Sequence, residues 1–219
     1  MFEMKLTYLD VLNLASGAWV TISLTIIAML IGTVLGMLFG VLRAHAPLLT
    51  APIGAILDVF RSTPLLVQFI LFNSANSIVG LNFGIFTVAY LVLGMYAAAL
   101  CTEVARGGIL AVSRDLRVAS RSLGMTWLQD LLYIVFPIAA RISFPSWINI
   151  MLQVMKDTSA VLVIGLVELL RATQQVNVRI NEPILLFFLA GVFYFVISLA
   201  VAELGRRVED RWGHDDRDN

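Results

Sequence analysis

The run Val11–Leu42, VLNLASGAWVTISLTIIAMLIGTVLGMLFGVL, contains no charged residue. A helix crosses roughly 30 Å of hydrocarbon with about 20 mostly apolar residues, so this run holds a complete membrane span, placed at about 18–42. Trp19 lies near one edge, where an indole suits the membrane interface. The run is too long for a signal-peptide core and lacks a clear small-residue cleavage site, so it reads as a retained span. Gly32, Gly36 and Gly40 recur every fourth residue on one helical face, which permits a neighbouring helix to approach closely.

Outward from this run the same chemistry repeats. Of 219 residues, 59% are hydrophobic and 14% charged, which excludes water as the main solvent and leaves no room for a sizeable soluble domain. The pattern predicts an all-α integral membrane protein, a single domain over 1–219 with five transmembrane helices at about 18–42, 53–73, 83–102, 145–167 and 183–202. The segment between His45 and Pro52 reads as a connection. The second span is interrupted by Asp58, Arg61 and Pro64, and the fourth contains Lys156 and Asp157. The charges between Glu103 and Arg141 are too many for lipid, so that stretch is expected to be mostly exposed or interfacial.

Five spans put the termini on opposite sides, and the basic residues choose between the two orientations. With the C-terminus in the cytoplasm, eleven lie inside: Arg43, Arg61, Arg106, Arg114, Arg117, Arg121, Arg141, Arg206, Arg207, Arg211 and Arg217. Lys5, Arg171 and Arg179 lie outside. That bias predicts an external N-terminus. The formal net charge is zero, so no global field recruits nucleic acid. Cys101 is the only cysteine, which excludes an internal disulfide and suggests a packing role.

Between Val112 and Gly124, apolar Val112, Leu116, Ala119 and Leu123 share one helical face, while Arg114, Arg117 and Arg121 mark another. This predicts an amphipathic helix. Ser113 suits its N-cap, Asp115 the positive end of its dipole, and Gly124 its termination. Its face fits anionic lipid and a protein partner equally well.

These residues also carry a resemblance. Val118-Ala119-Ser120, then Gly124, then Ile134-Val135-Phe136-Pro137 are similar to the cytoplasmic loop signature of ABC importer permeases: Glu-Ala-Ala, three residues, Gly, nine residues, Ile-x-Leu-Pro. Val118 stands where the signature has glutamate and Phe136 where it has leucine, and the first departure bears on any polar contact that the glutamate normally makes. Phe60-Arg61-Ser62-Thr63-Pro64-Leu65-Leu66-Val67-Gln68, Thr102-Glu103-Val104-Ala105-Arg106-Gly107-Gly108-Ile109, Lys156-Asp157-Thr158-Ser159 and Gly165-Leu166-Val167-Glu168-Leu169-Leu170 resemble the polar amino acid subgroup of that family.

The resemblance implies a permease subunit of a binding-protein-dependent amino acid importer in the bacterial inner membrane. Its implied partners are two ABC ATPase subunits, a second permease copy or a sister permease, and an extracytoplasmic solute-binding protein. The short helix becomes the ATPase-coupling element, with Arg114, Leu116, Arg117, Val118, Ala119, Ser120, Arg121 and Gly124 forming or shaping it. Thr63, Pro64, Gln68, Glu103, Asp157, Thr158 and Ser159 are the implied substrate path. No catalytic residue and no bound cofactor are expected, with ATP and magnesium held by the partner. The chain's only lysines, Lys5 and Lys156, are not preceded by glycine, so the phosphate-binding pattern is absent.

Lys156 and Asp157 carry information of their own, because a charge central in a span costs roughly 2.5 to 3.5 kcal/mol. Adjacent residues do not face each other on a helix, so they form a poor mutual pair. Each therefore tethers helices or faces a water-filled path. His45 and His214 read as solvated or interfacial side chains without metal chemistry. Two other functions remain: a secondary amino acid transporter using Glu103 or Asp157 for coupling protons, and a membrane scaffold that transports nothing.

Overall fold

The computed structural model describes residues 6–215, with side chains as far as 212. The charge assignments of Lys5 and Arg217 and the reading of the His214 side chain fall outside that range. The described residues run through α1 (Tyr8–His45), α2 (Ala51–Ser62), α3 (Leu65–Val79), α4 (Ile85–Ala111), α5 (Arg114–Ser122), α6 (Trp127–Asp130), α7 (Phe136–Asp157), α8 (Leu169–Ile180) and α9 (Pro183–Asp215). A π-helical turn, Leu131–Val135, joins α6 to α7, and a 3-10 helix, Thr158–Ile164, follows α7. Four of these stretches are long and apolar enough to cross a membrane, and α2 with α3 makes a fifth if that bent pair counts as one span.

α1 begins well ahead of residue 18. The Asp10 carboxylate accepts a 2.7 Å hydrogen bond from the Thr7 N–H, closing a capping box, and pairs with Arg179 at the end of α8. Both contacts hold the first turns helical outside the apolar stretch. Further along, the glycine stripe meets α4. A methyl group added at Gly32 would lie 2.6 Å from the Ala97 Cβ, and one at Gly40 would lie 2.6 Å from the Ala105 Cβ. Gly36 sits against Cys101 between them. The partners on α4 also recur every fourth residue, so two small-residue stripes run parallel and the backbones touch. In lipid, where burying apolar surface gains little, such contact is a main source of helix association.

The second span is broken where Pro64 interrupts it. α2 and α3 meet at a bend of 110°, because Thr63 adopts extended angles (φ −87, ψ 132) ahead of Pro64, as the proline ring demands of its predecessor. The stretch from Glu103 to Arg141 is helical over most of its length, with most of its residues exposed. Ile109, Val112, Leu131, Val135 and Ala139 form a buried cluster there. The fourth stretch long and apolar enough to cross a membrane is Trp127–Ile164, which overlaps the span expected at about 145–167, with Pro145 inside α7. The main core lies between α1, α3, α4, α7 and the 3-10 helix, centred on Leu24, Ala28, Phe69, Leu93, Val154 and Val161. Cys101 is buried within it. α9 leaves Ile184, Phe188, Phe195 and Leu204 exposed, a surface suited to lipid or to other subunits.

Candidate functional site

α5 is built as a self-contained short helix. The Ser113 hydroxyl accepts from the Asp115 N–H at 3.2 Å. At the other end Met125 N–H reaches the Ser120 carbonyl and Gly124 N–H reaches the Arg121 carbonyl, the paired bonds of a Schellman closure. Gly124 takes φ +86 to make them, a conformation that disfavours a Cβ.

The helix is anchored through its polar side. Ser120, buried, donates to the Asp130 Oδ1 at 2.6 Å, and the Arg117 Nε donates to Oδ2 at 3.3 Å. Arg117 also approaches the His45 Nε2 at 3.4 Å, and the His45 ring meets Trp127 edge-on at 5.1 Å. His45 is therefore partly buried and engaged, because the close of α1 packs under this hub. Leu116, Val118, Ala119 and Leu123 are left exposed, as are Arg114 and Arg121. The apolar side thus faces away from the chain's own core. Asp130 was not legible as a functional residue, since its partners lie ten or more residues away and meet it only through the turn between α5 and α6.

The path residues divide into separate groups. Gln68, buried at the bend, donates its amide to the Phe60 carbonyl at 2.7 Å and the Thr63 carbonyl at 2.9 Å. Its amide nitrogen therefore supports the carbonyls released by Pro64 rather than a substrate, while its Oε1 stays buried without a partner. Glu103 pairs with Arg43 and, at 3.0 Å, with Arg106, and the Arg43 guanidinium lies over Gly54 of α2. This cluster ties α1, α2 and α4 together. It commits Glu103 to two guanidinium groups.

Asp157 closes α7 elsewhere. Its hydrogen-bonding neighbours are Gln153 and Tyr96, with the Lys156 charge acting on it as well; Gln153 and Tyr96 are themselves joined at 2.7 Å, and the Asp157 Oδ2 is buried without a hydrogen-bond partner. Tyr96 precedes Glu103 on α4 by about 10 Å of helix, so the two carboxylates do not share one site. The Thr158 and Ser159 hydroxyls donate back to the Met155 and Lys156 carbonyls at 2.7 and 2.8 Å, easing the passage from α7 into the 3-10 helix. That helix packs against α3.

Glu168 is the main residue outside the expected set. Fully buried, it caps α8 by accepting from Leu170 and Arg171 N–H at 2.8 Å each, and from the Tyr194 hydroxyl at 3.0 Å. A glutamate next to an apolar run gave the signal, but its burial depends on α9 crossing behind it.

Fold and site together define a multi-span helical membrane subunit that carries a short amphipathic helix, α5, between its apolar stretches. The chain belongs to the family of binding-protein-dependent transport system inner membrane components, whose pattern matches residues 28–214. The glutamine transport system permease protein GlnP of Escherichia coli is 29% identical over 201 residues, covering 90% of this chain and 92% of the relative. The arginine transport system permease protein ArgU of Corynebacterium glutamicum is 30% identical over 207 residues, covering 88% of this chain and 66% of the relative. Among solved structures, an amino acid ABC transporter crystallised with histidines has a TM-score of 0.84 at 27% identity, covering 95% of this chain and all of that one. The MetNI methionine transporter shares the fold at a TM-score of 0.76 and 19% identity, over 94% of this chain and 99% of its own. The family is one of membrane components of transport systems rather than of enzymes.

Proposed function

We propose that this chain is the translocating subunit of an ATP-driven importer for polar amino acids, with its N-terminus outside. The supporting observation is its 29 and 30% identity, over nine-tenths of its length, with permeases named for glutamine and arginine. α5 is the surface for an ABC ATPase, which holds the ATP and magnesium. Its outward Leu116, Val118, Ala119 and Leu123 need an apolar cover, and Arg114 and Arg121 complement an acidic rim. An exposed valine at position 118 makes this contact apolar where the signature glutamate would make it polar. A second permease copy or sister permease covers the exposed spans, and a solute-binding protein delivers substrate from outside. Thr63, Pro64, Asp157, Thr158 and Ser159 line the path, while Gln68 and Glu103 hold the helices that shape it.

Co-purification of the tagged chain from its native membrane tests this directly. An ABC ATPase and an extracytoplasmic binding protein are expected in the complex, and reconstituted vesicles are expected to take up an amino acid only with ATP. Uptake abolished by an ionophore but indifferent to ATP would overturn the reading in favour of secondary transport.

A further inference from the structure

The last residue of α1 meets the polar side of α5. The His45 ring lies 2.9 Å from the Val41 carbonyl through Nδ1 and 3.4 Å from the Arg117 Nη2 through Nε2. A carbonyl can only accept, so Nδ1 carries the proton. In the neutral ring Nε2 is left with its lone pair, and Arg117 donates to it. The Val41 bond and the edge-on contact with Trp127 hold the ring from two sides, which keeps Nε2 aimed at the guanidinium.

Protonation reverses this contact. Histidine is the side chain whose charge ordinarily changes between about pH 5 and 8, and a proton added at Nε2 sets N–H against N–H and cation against cation. Among the described residues the charged groups around the ring offer no relief. On α6, Asp130 has Oδ1 taken by Ser120 and Oδ2 by Arg117. On α5, Arg114 and Arg121 are like charges, and Asp115 is exposed in the first turn. Arg43 of α1 and Arg106 of α4 are both committed to Glu103. Arg117 does have room to leave: 30% of its side chain is exposed, and with Arg114 and Arg121 it lines an open cleft of about 510 Å³. Its departure leaves the buried Asp130 carboxylate with Ser120 alone and removes half of the anchor that holds α5.

We propose that His45 is a pH-sensitive latch on α5: the neutral imidazole holds Arg117 on Asp130, and the imidazolium expels it and loosens the helix. The inference rests on the reading of α5 as the ATPase-docking surface and adds a means of regulating it. The sign follows from the form that is held. Anchoring is complete above the titration of His45 and is lost as pH falls through it, so acidification on the side where α5 lies lowers engagement of the ATPase.

Hydrogen exchange of the α5 amides, measured on the whole chain in nanodiscs of neutral lipid and corrected for the intrinsic effect of pH, tests the latch itself. Protection is expected to fall about fivefold or more between about pH 7.5 and about pH 5.5. His45→Gln and His45→Asn, neutral at both values, are expected to abolish the difference, and His45→Lys to exchange fast at both. Equal protection at the two values in the unaltered chain overturns the latch, and this arm depends on no variant folding. So does an undiminished difference in either neutral variant, which assigns it to another group, or full protection in His45→Lys at the higher pH. The ATPase that co-purifies with the chain tests the consequence. Its affinity is expected to fall about fivefold or more over the same range for the unaltered chain and to stay level for His45→Gln. Level affinity beside a loosening α5 overturns the link to docking. If no ATPase co-purifies, the importer reading fails, while the exchange measurement still decides the latch.

Discussion

Gly36→Ala is the sharpest probe of the seam between α1 and α4. The added Cβ would sit against the Cys101 Cβ, 2.9 Å from the Cys101 carbonyl carbon and 3.0 Å from the Thr102 nitrogen. Two of those neighbours are backbone, so no rotamer change relieves them and the helices must part by several tenths of an ångström. Overpacking of this kind costs about 1–3 kcal/mol. Alanine also raises helix propensity by about 1 kcal/mol over glycine, a gain shared by Gly107→Ala, where nothing lies within 4 Å of the new atom. The difference between the two variants therefore reports packing alone. At about 2–4 °C per kcal/mol for a chain of this size, Gly36→Ala is expected to melt roughly 2–12 °C below Gly107→Ala in detergent. Adding Cys101→Gly to Gly36→Ala removes one of the three close contacts and is expected to restore part of the loss, a non-additive result. Equal melting of Gly36→Ala and Gly107→Ala would refute the close seam.

Other expectations follow from the same geometry. Gly124→Val forces a β-branched residue to φ +86, which costs about 1–3 kcal/mol; the subunit is expected to insert normally but bind its ATPase weakly, and normal pull-down and uptake would exclude this role. Asp157→Asn is expected to lower uptake at normal complex assembly. Glu103→Gln, by loosening its pairs with Arg43 and Arg106, is expected to lower assembly instead. Unchanged uptake and assembly in both variants would remove these roles. After replacement of Cys101, a probe cysteine at Thr7 is expected to react with an impermeant reagent in intact cells and one at Asp215 is not, and the reverse pattern would invert the topology.

The membrane class, the all-helical fold and the family were legible in the sequence because each rests on local pattern. An uncharged run such as Val11–Leu42 must be covered by lipid or protein whatever its neighbours are, and the cap and stop of α5 depend on Ser113 and Gly124 within one short segment. The glycine stripe announced a close contact but not with which helix. Only the folded chain decided that Ala97, Cys101 and Ala105 lie opposite it, that Pro64 turns its span through 110° with Gln68 repairing the bend, and that Glu103 belongs to Arg43 and Arg106. Charges in a low-dielectric interior take the partners that tertiary packing brings within reach, and those partners are distant in sequence: Arg43 for Glu103, Tyr96 for Asp157, Tyr194 for Glu168. Periodicity places such residues on a helix face, but packing decides whether that face meets an ion pair, a capped helix end or an open cleft.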